Sequence, residues 1–353
     1  MKVDSTTVPL VGLLEEMTVN QLVGDKQVIT VREDAQLKDV INLLAQHRIL
    51  SVPVLCKDSR DVLGFVDVMD ILTFIVRLVT HGHDMQEAQW SAWANDIVTL
   101  QAKGEQFGQT HVKKVMASSK ADMYFPVYGR GTVLQAMEHF AAGLHRAAVF
   151  NKTNKVLTSI VTQSDVLQLM LKNLTGSSLG VLGGKTIDEL QLGTSTNVIC
   201  MSTNALAIHA IYLMFFHNVS AVAITDENGR LVANFSASEL RGLGHKNFDW
   251  LLLNISDFLG RIASITPGGK LLFPLTCRKS TYIEDAINML GTYRVHRLWL
   301  VDDQGKPEGL MSLTDVMRLL LPNDAIPEPA GKPPGRRKSW VEEPASTSTS
   351  SSS

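Results

Sequence analysis

One unit returns four times along this chain, and that repetition constrains the fold more than any other feature of the sequence. The first copy reads "ITVREDAQLKDVINLLAQHRILSVPVL" and continues "DVLGFVDVMDILTFIV"; the second contains "PVYGRGTVLQAMEHFAAGLHRAAVF" and "KVLTSIVTQSDVLQLMLKNL". The third is "VICMSTNALAIHAIYLMFFHNVSAVAITDENGRLVANFSASELRGL", and the fourth "PLTCRKSTYIEDAINMLGTYRVHRLWLVDDQGKPEGLMSLTDVMRLLL". Each reads as an extended lead-in, a helix with apolar residues at three-and-four spacing, a short apolar strand, a turn, a second strand and a closing helix. In copies three and four the strands are joined by "DENGR" and "DDQGK", tight-turn signals that predict antiparallel pairing. The fold class is therefore α+β. Two helices hardly cover one face of so small a sheet, so the units are expected to associate in pairs, copy one with two and copy three with four.

Punctuation divides the chain accordingly. An N-terminal segment, 1–16, precedes a first pair at 17–175, and a second pair occupies 186–321. Between them, 176–185 carries Gly176, Ser177, Ser178, Gly180, Gly183 and Gly184 and reads as a flexible linker. The long stretch between copies one and two is expected to add helix. The tail, 322–353, is rich in Pro and Ser, cannot bury a core and is expected to be disordered. Within it "GRRKSW" sets two arginines ahead of Ser339, a pattern suited to phosphorylation.

Two kinds of polar residue recur in register. Asp70, Asp165, Glu239 and Asp315 each open a closing helix, where a carboxylate caps free backbone amides. Three residues earlier stand Thr162, Ser236 and Ser312, while the first copy has Asp67 instead. His145-Arg146 and His296-Arg297 precede the apolar strands of copies two and four; the first copy offers Arg48 and the third Ser220-Ala221. Arginine presents a planar fork that matches phosphate oxygens, and histidine adds a donor whose charge a phosphate would favour.

Other chemistries are argued against. A net charge of -2 gives no nucleic-acid surface, although a pocket can still be locally basic. Cys56, Cys200 and Cys277 lie far apart without ligand spacing, and His81 with His83 lacks further ligands, so no metal is expected. "GGK" at 183–185 lacks the rest of a phosphate loop, no nucleophile elbow appears, and no catalytic centre is expected. The longest apolar run, "ALAIHAIYLMFFHNVSAVAI", is broken by His209, His217 and Asn218, which argues against a membrane span. Without a signal peptide pattern, the cytoplasm or nucleus is the expected compartment.

With these repeats in view, the chain resembles the cystathionine β-synthase (CBS) domain family, whose tandem pairs are called Bateman modules. Four copies, with "HR" in the second and fourth, look most like the gamma subunit of AMP-activated protein kinase, over roughly Met17 to Leu321. The resemblance implies two Bateman modules in a pseudo-fourfold disk and a non-catalytic regulatory subunit that senses AMP, ADP or ATP. It implies ribose contacts from Asp315, Asp165 and Asp70, aided by Ser312, Thr162 and Ser236, and phosphate contacts from His296, Arg297, His145, Arg146 and Arg48. Asp67 would repel a phosphate and Glu239 is a methylene too long, which sets copies one and three apart. The implied partners are a kinase catalytic subunit and a beta-type scaffold. The chain also resembles four-repeat fungal proteins that bind and restrain protein phosphatases, which implies a phosphatase partner instead.

Overall fold

The computed structural model describes residues 7–80, 97–118, 125–151, 156–175, 177–193, 198–265 and 273–321. Ser339 with the tail, and His81 with His83, lie outside the described residues.

Each repeat builds one three-stranded sheet whose strands lie in chain order. The first holds β1 (Val31–Arg32), β2 (Ser51–Leu55) and β3 (Val62–Asp67); the second β4 (Pro126–Tyr128), β5 (Arg146–Phe150) and β6 (Leu157–Thr162). The third holds β7 (Cys200–Ser202), β8 (Ala221–Thr225) and β9 (Leu231–Ser236); the fourth β10 (Thr276–Cys277), β11 (Arg297–Val301) and β12 (Pro307–Ser312). In every sheet the first strand is parallel to the second, which a helical crossover requires, and the last two form an antiparallel hairpin. All four hairpins share one register. Ser51 faces Asp67, Arg146 faces Thr162, Ala221 faces Ser236 and Arg297 faces Ser312, and each ladder slips at the same point near its far end.

The crossover helices Leu37–Gln46, Val133–Ala141, Ala207–His217 and Ile283–Thr292 each bury an apolar stripe against the core. The first ends at Arg48 and the last at Arg294, both at φ near the left-handed region, as does the third at Asn218 and the second at Gly143. Closing helices follow three of the hairpins, at Val68–Thr80, Gln163–Lys172 and Leu313–Leu319. The expected closing helix of copy three is corrected: Glu239–Gly242 is one turn of 3-10 helix, because Gly242 ends it and Gly244 lies two residues on, and both disfavour a longer α-helix.

The lead-in of each repeat docks on its neighbour. Thr18, ahead of copy one, bridges to Thr132 in copy two, and His111, ahead of copy two, bridges to Gln36 in copy one. Thr186 with Tyr282, and Asn254 with Leu206, repeat the exchange between copies three and four. Helix between copies one and two is present at Ile97–Gln109 and Val112–Ser118.

The buried cores run across this exchange. Val166 and Met170 of copy two share a cluster with Ile287 and Leu290 of copy four, and Leu72 and Ile75 of copy one share another with Ile211 and Met214 of copy three. Each such buried aliphatic side chain contributes about 1.5–3 kcal/mol. A smaller cluster, Ala221, Ala223 and Trp299, lies between the sheets of copies three and four.

The flexible linker is also corrected. Among residues 177–185, Leu179 and Leu182 are buried in the core shared by copies two and four, and Gly180–Leu182 forms a 3-10 turn. The amides of Leu10 and Val181 exchange hydrogen bonds with Ser178 and Thr7 carbonyls at 3.0 and 3.3 Å. Glycine is needed there: at φ 49°, a Cβ on Gly180 would sit 2.0 Å from the Thr7 carbonyl oxygen. Two leucines at helical spacing outweigh the surrounding glycines.

Candidate functional site

In copies two and four the recurring carboxylates are caps built the same way. The backbone amide and hydroxyl of Ser312 both donate to Asp315 Oδ2 at 2.7 Å, while the Asp315 amide donates back to Ser312 Oγ at 3.4 Å. Thr162 and Asp165 repeat the arrangement at 2.9, 2.8 and 3.2 Å. A capping box satisfies two otherwise orphaned donors and spends only one carboxylate oxygen. What the second oxygen does differs between copies. Asp315 Oδ1 takes no partner among the described residues, whereas Asp165 Oδ1 is ion-paired with Lys26.

Copies one and three depart as their residue types require. Asp67 replaces the hydroxyl residue and accepts from the Asp70 amide through Oδ1 at 2.9 Å, while Asp70 accepts from the Asp67 amide at 2.8 Å. Asp70 is buried beneath this exchange, and the lining of the cavity described below includes Asp67 rather than Asp70. Glu239 is fully buried, accepting from Ser236 through Oε2 and from the Ser238 hydroxyl through Oε1 at 3.0 Å. Its extra methylene lets it engage both serines.

The basic pairs come from the shared hairpin register. Arg146 and Arg297 each start a strand opposite a capping hydroxyl, and each reaches into the preceding repeat. Arg297 donates to the Ser220 carbonyl at 3.1 Å and to its hydroxyl at 2.9 Å. Arg146 Nη2 meets Asp67 Oδ2 at 3.4 Å. Burial lowers the Arg297 guanidinium to about 10, so it stays charged at neutral pH. His145 and His296 open onto the cavity, yet burial first, and then Arg146 for one and Arg297 for the other, pushes both down to about 4.

Arg48 requires correction. The register aligns Leu50-Ser51 with the two His-Arg pairs, and Arg48 instead matches Gly143, Asn218 and Arg294 at the left-handed helix ends. It nevertheless lines the cavity, and its charge lowers Arg241 after burial has done so.

All four repeats enclose one cavity of about 2130 Å³. Asp315, Ser312, His296, Arg297, Asp165, Thr162, His145, Arg146 and Ser236 all line it. Eight basic side chains, Lys26, Arg48, Arg146, Arg241, Lys246, Arg294, Arg297 and Arg318, face only three carboxylates there, Asp67, Asp165 and Asp315. In a chain of net charge -2 that excess is local, and it suits a multiply charged anion. The sequence reading missed Arg241, Lys26 and Ser220. Arg241 carried a signal: counted from the capping carboxylate, its place holds Leu72, Leu167 and Met317 in the other copies, so an arginine there breaks an apolar pattern. Among the described residues no group of three metal-ligating side chains comes together. No helix among them is long and apolar enough to cross a membrane.

Four hairpin repeats with exchanged lead-ins around one basic cavity define the class of fold. The fold is that of four CBS-like repeats in two Bateman modules, and the CBS domain sequence model matches residues 19–77 and 273–322. It is 25% identical over 350 residues to the SNF1-related protein kinase regulatory subunit gamma-like PV42b of Arabidopsis thaliana, covering 87% of this chain and 95% of that one. It is 24% identical over 325 residues to Protein SDS23 of Debaryomyces hansenii, covering 86% of this chain but only 56% of that protein. Protein MJ1225 of Methanocaldococcus jannaschii, a proposed archaeal homolog of g-AMPK, shares the fold with a TM-score of 0.64 at 14% identity, over 86% of this chain and 100% of that one.

Proposed function

We propose that this protein is a non-catalytic regulatory subunit that binds an adenine nucleotide, AMP, ADP or ATP, in its central cavity and passes the binding state to a kinase catalytic subunit and a beta-type scaffold. The observation that carries the reading is that Asp315, with one carboxylate oxygen open, lines the same cavity as His296 and Arg297. A carboxylate oxygen accepts from ribose hydroxyls, and a guanidinium fork holds phosphate oxygens. His145 and Arg146 supply a second basic pair on that cavity. The similarity to a kinase gamma-like subunit supports the kinase partner. Nucleotide shifts a conformational equilibrium only as far as its affinities for the two states differ, so the readout is graded. Calorimetric titration with AMP, ADP and ATP tests this: binding that His296→Ala/Arg297→Ala loses is expected, and no binding by the wild type overturns it.

The similarity to SDS23 proteins favours a second reading, an adaptor that binds and restrains a protein phosphatase. Co-purification separates the two. Kinase and scaffold chains support the first, and a phosphatase catalytic chain the second.

A further inference from the structure

The two halves of the cavity are wired differently, although their folds superimpose residue for residue in the hairpin register. In the half built by copies three and four, Arg297 finds among the described residues only the neutral carbonyl and hydroxyl of Ser220, and no ion pair there offsets its positive charge. Asp315 keeps an oxygen free of any described partner. In the half built by copies one and two, the equivalent arginine meets a carboxylate, Asp67, and the equivalent aspartate meets an ammonium, Lys26. The Asp67 and Arg146 side chains are only 8% and 11% exposed, so little solvent screens them. Asp67 stands where copies three and four carry Ser236 and Ser312, so the charge is extra to the capping role, which its Oδ1 already fills. Arg146 Nη1 is buried without a partner among the described residues, so a single oxygen at 3.4 Å does not satisfy its fork.

We propose that Asp67 is a built-in substitute for a ligand's phosphate on Arg146, and Lys26 a built-in substitute for a ribose on Asp165, so that the copy one and two half of the cavity is closed by the chain's own charges while the copy three and four half takes the ligand. The ribose part rests on the nucleotide reading above; the phosphate part needs only an anion. A phosphate entering the closed half meets the Asp67 charge and must displace it from Arg146, at an energetic cost that the open half does not impose.

The test titrates the full chain and its D67S, D67N and K26M variants calorimetrically with inorganic pyrophosphate and, separately, with AMP. Serine at 67 is the residue the same fold uses for this cap at 236 and 312, and D67N keeps the size and capping oxygen of aspartate if D67S fails to fold. Both Asp67 variants are expected to bind pyrophosphate about tenfold more tightly, or at one additional site, as removal of one opposing charge predicts. K26M is expected to gain AMP affinity. Wild-type pyrophosphate affinity and stoichiometry in folded D67S and D67N overturn the Asp67 assignment, and unchanged AMP affinity in K26M overturns that of Lys26. AMP binding by the wild type with no gain in any variant defeats this inference alone. A pyrophosphate gain in D67S with no AMP binding anywhere leaves the Asp67 assignment standing and defeats the nucleotide reading.

Discussion

Arg297 donates from both terminal nitrogens to Ser220, to the carbonyl at 3.1 Å and to the hydroxyl at 2.9 Å, and this two-point hold fixes the plane of its guanidinium on the cavity wall. A fork held flat by two neutral acceptors loses little entropy when phosphate oxygens arrive, and none of its charge is spent beforehand.

Arg297→Lys therefore tests the fork rather than the charge. An ammonium keeps the positive charge but cannot hold two acceptors and a phosphate in one plane. AMP affinity measured by calorimetry is expected to fall about tenfold, the equivalent of roughly 1.4 kcal/mol. An affinity equal to wild type would show that charge alone suffices.

Asp315 serves the cap with one oxygen and, on our reading, the ribose with the other, and two substitutions separate these roles. Asp315→Asn keeps an oxygen to accept from Ser312 but presents an amide donor to the cavity in place of the free oxygen. It is expected to keep the melting temperature and lose AMP affinity, by about 1.5–3 kcal/mol for a bond to a charged group. Asp315→Ala is expected to lose the same affinity and, in addition, about 1 kcal/mol of stability from the cap. Wild-type AMP affinity in the asparagine variant would sink the ribose assignment.

The fold was legible because local signals repeat: apolar spacing recurs in all four copies, tight-turn residues in copies three and four, and hydroxyl-carboxylate pairs in copies two, three and four, so chance matches cancel. Asp315, Ser312 and the His-Arg pairs were legible for the same reason, and all of them line the cavity. What escaped notice depends on contacts between copies. Lys26 precedes the first strand, and nothing in its neighbourhood announces a partner at Asp165, 139 residues away. Arg48 lies three residues from the place its role required, and only the hairpin register exposes the shift. Leu179 and Leu182 sit among glycines whose composition suggests a free linker, yet burial of two leucines decides the outcome.

Packing against the fourth sheet leaves no room at Gly309. A Cβ there would lie 2.2 Å from the Gly193 carbonyl oxygen and 2.9 Å from Leu300 Cδ1. The first obstacle is backbone, on a residue at φ 63° whose carbonyl accepts from the Leu310 amide at 3.3 Å. Gly309→Ala is expected to cost about 1–3 kcal/mol, the usual penalty of overpacking, and to lower the melting temperature in a thermal scan. An unchanged melting temperature would mean that the 193 segment moves away freely.

His145 and His296 make the cavity sensitive to acid. Burial and the surrounding guanidiniums hold both folded-state values at about 4, below the ordinary 6.5, with Asp67 opposing the trend for His145. Between those values the unfolded chain binds more protons than the folded one, so stability rises with pH across the window. The stabilisation is fully present above 6.5 and is lost as pH falls toward 4. An anion in the cavity offsets the guanidiniums and raises both imidazoles, so anion binding takes up protons and strengthens as pH falls. Sulfate keeps its charge over this range and is the suitable probe. The melting temperature without sulfate is expected to drop from neutral to acidic pH, and the upward shift caused by sulfate to grow over the same interval. General exclusion of sulfate from protein surfaces also stabilises, but without this pH dependence. The His145→Ala/His296→Ala variant is accordingly expected to show a sulfate shift that stays constant with pH, and a shift that still grows in that variant would remove the histidines from the effect.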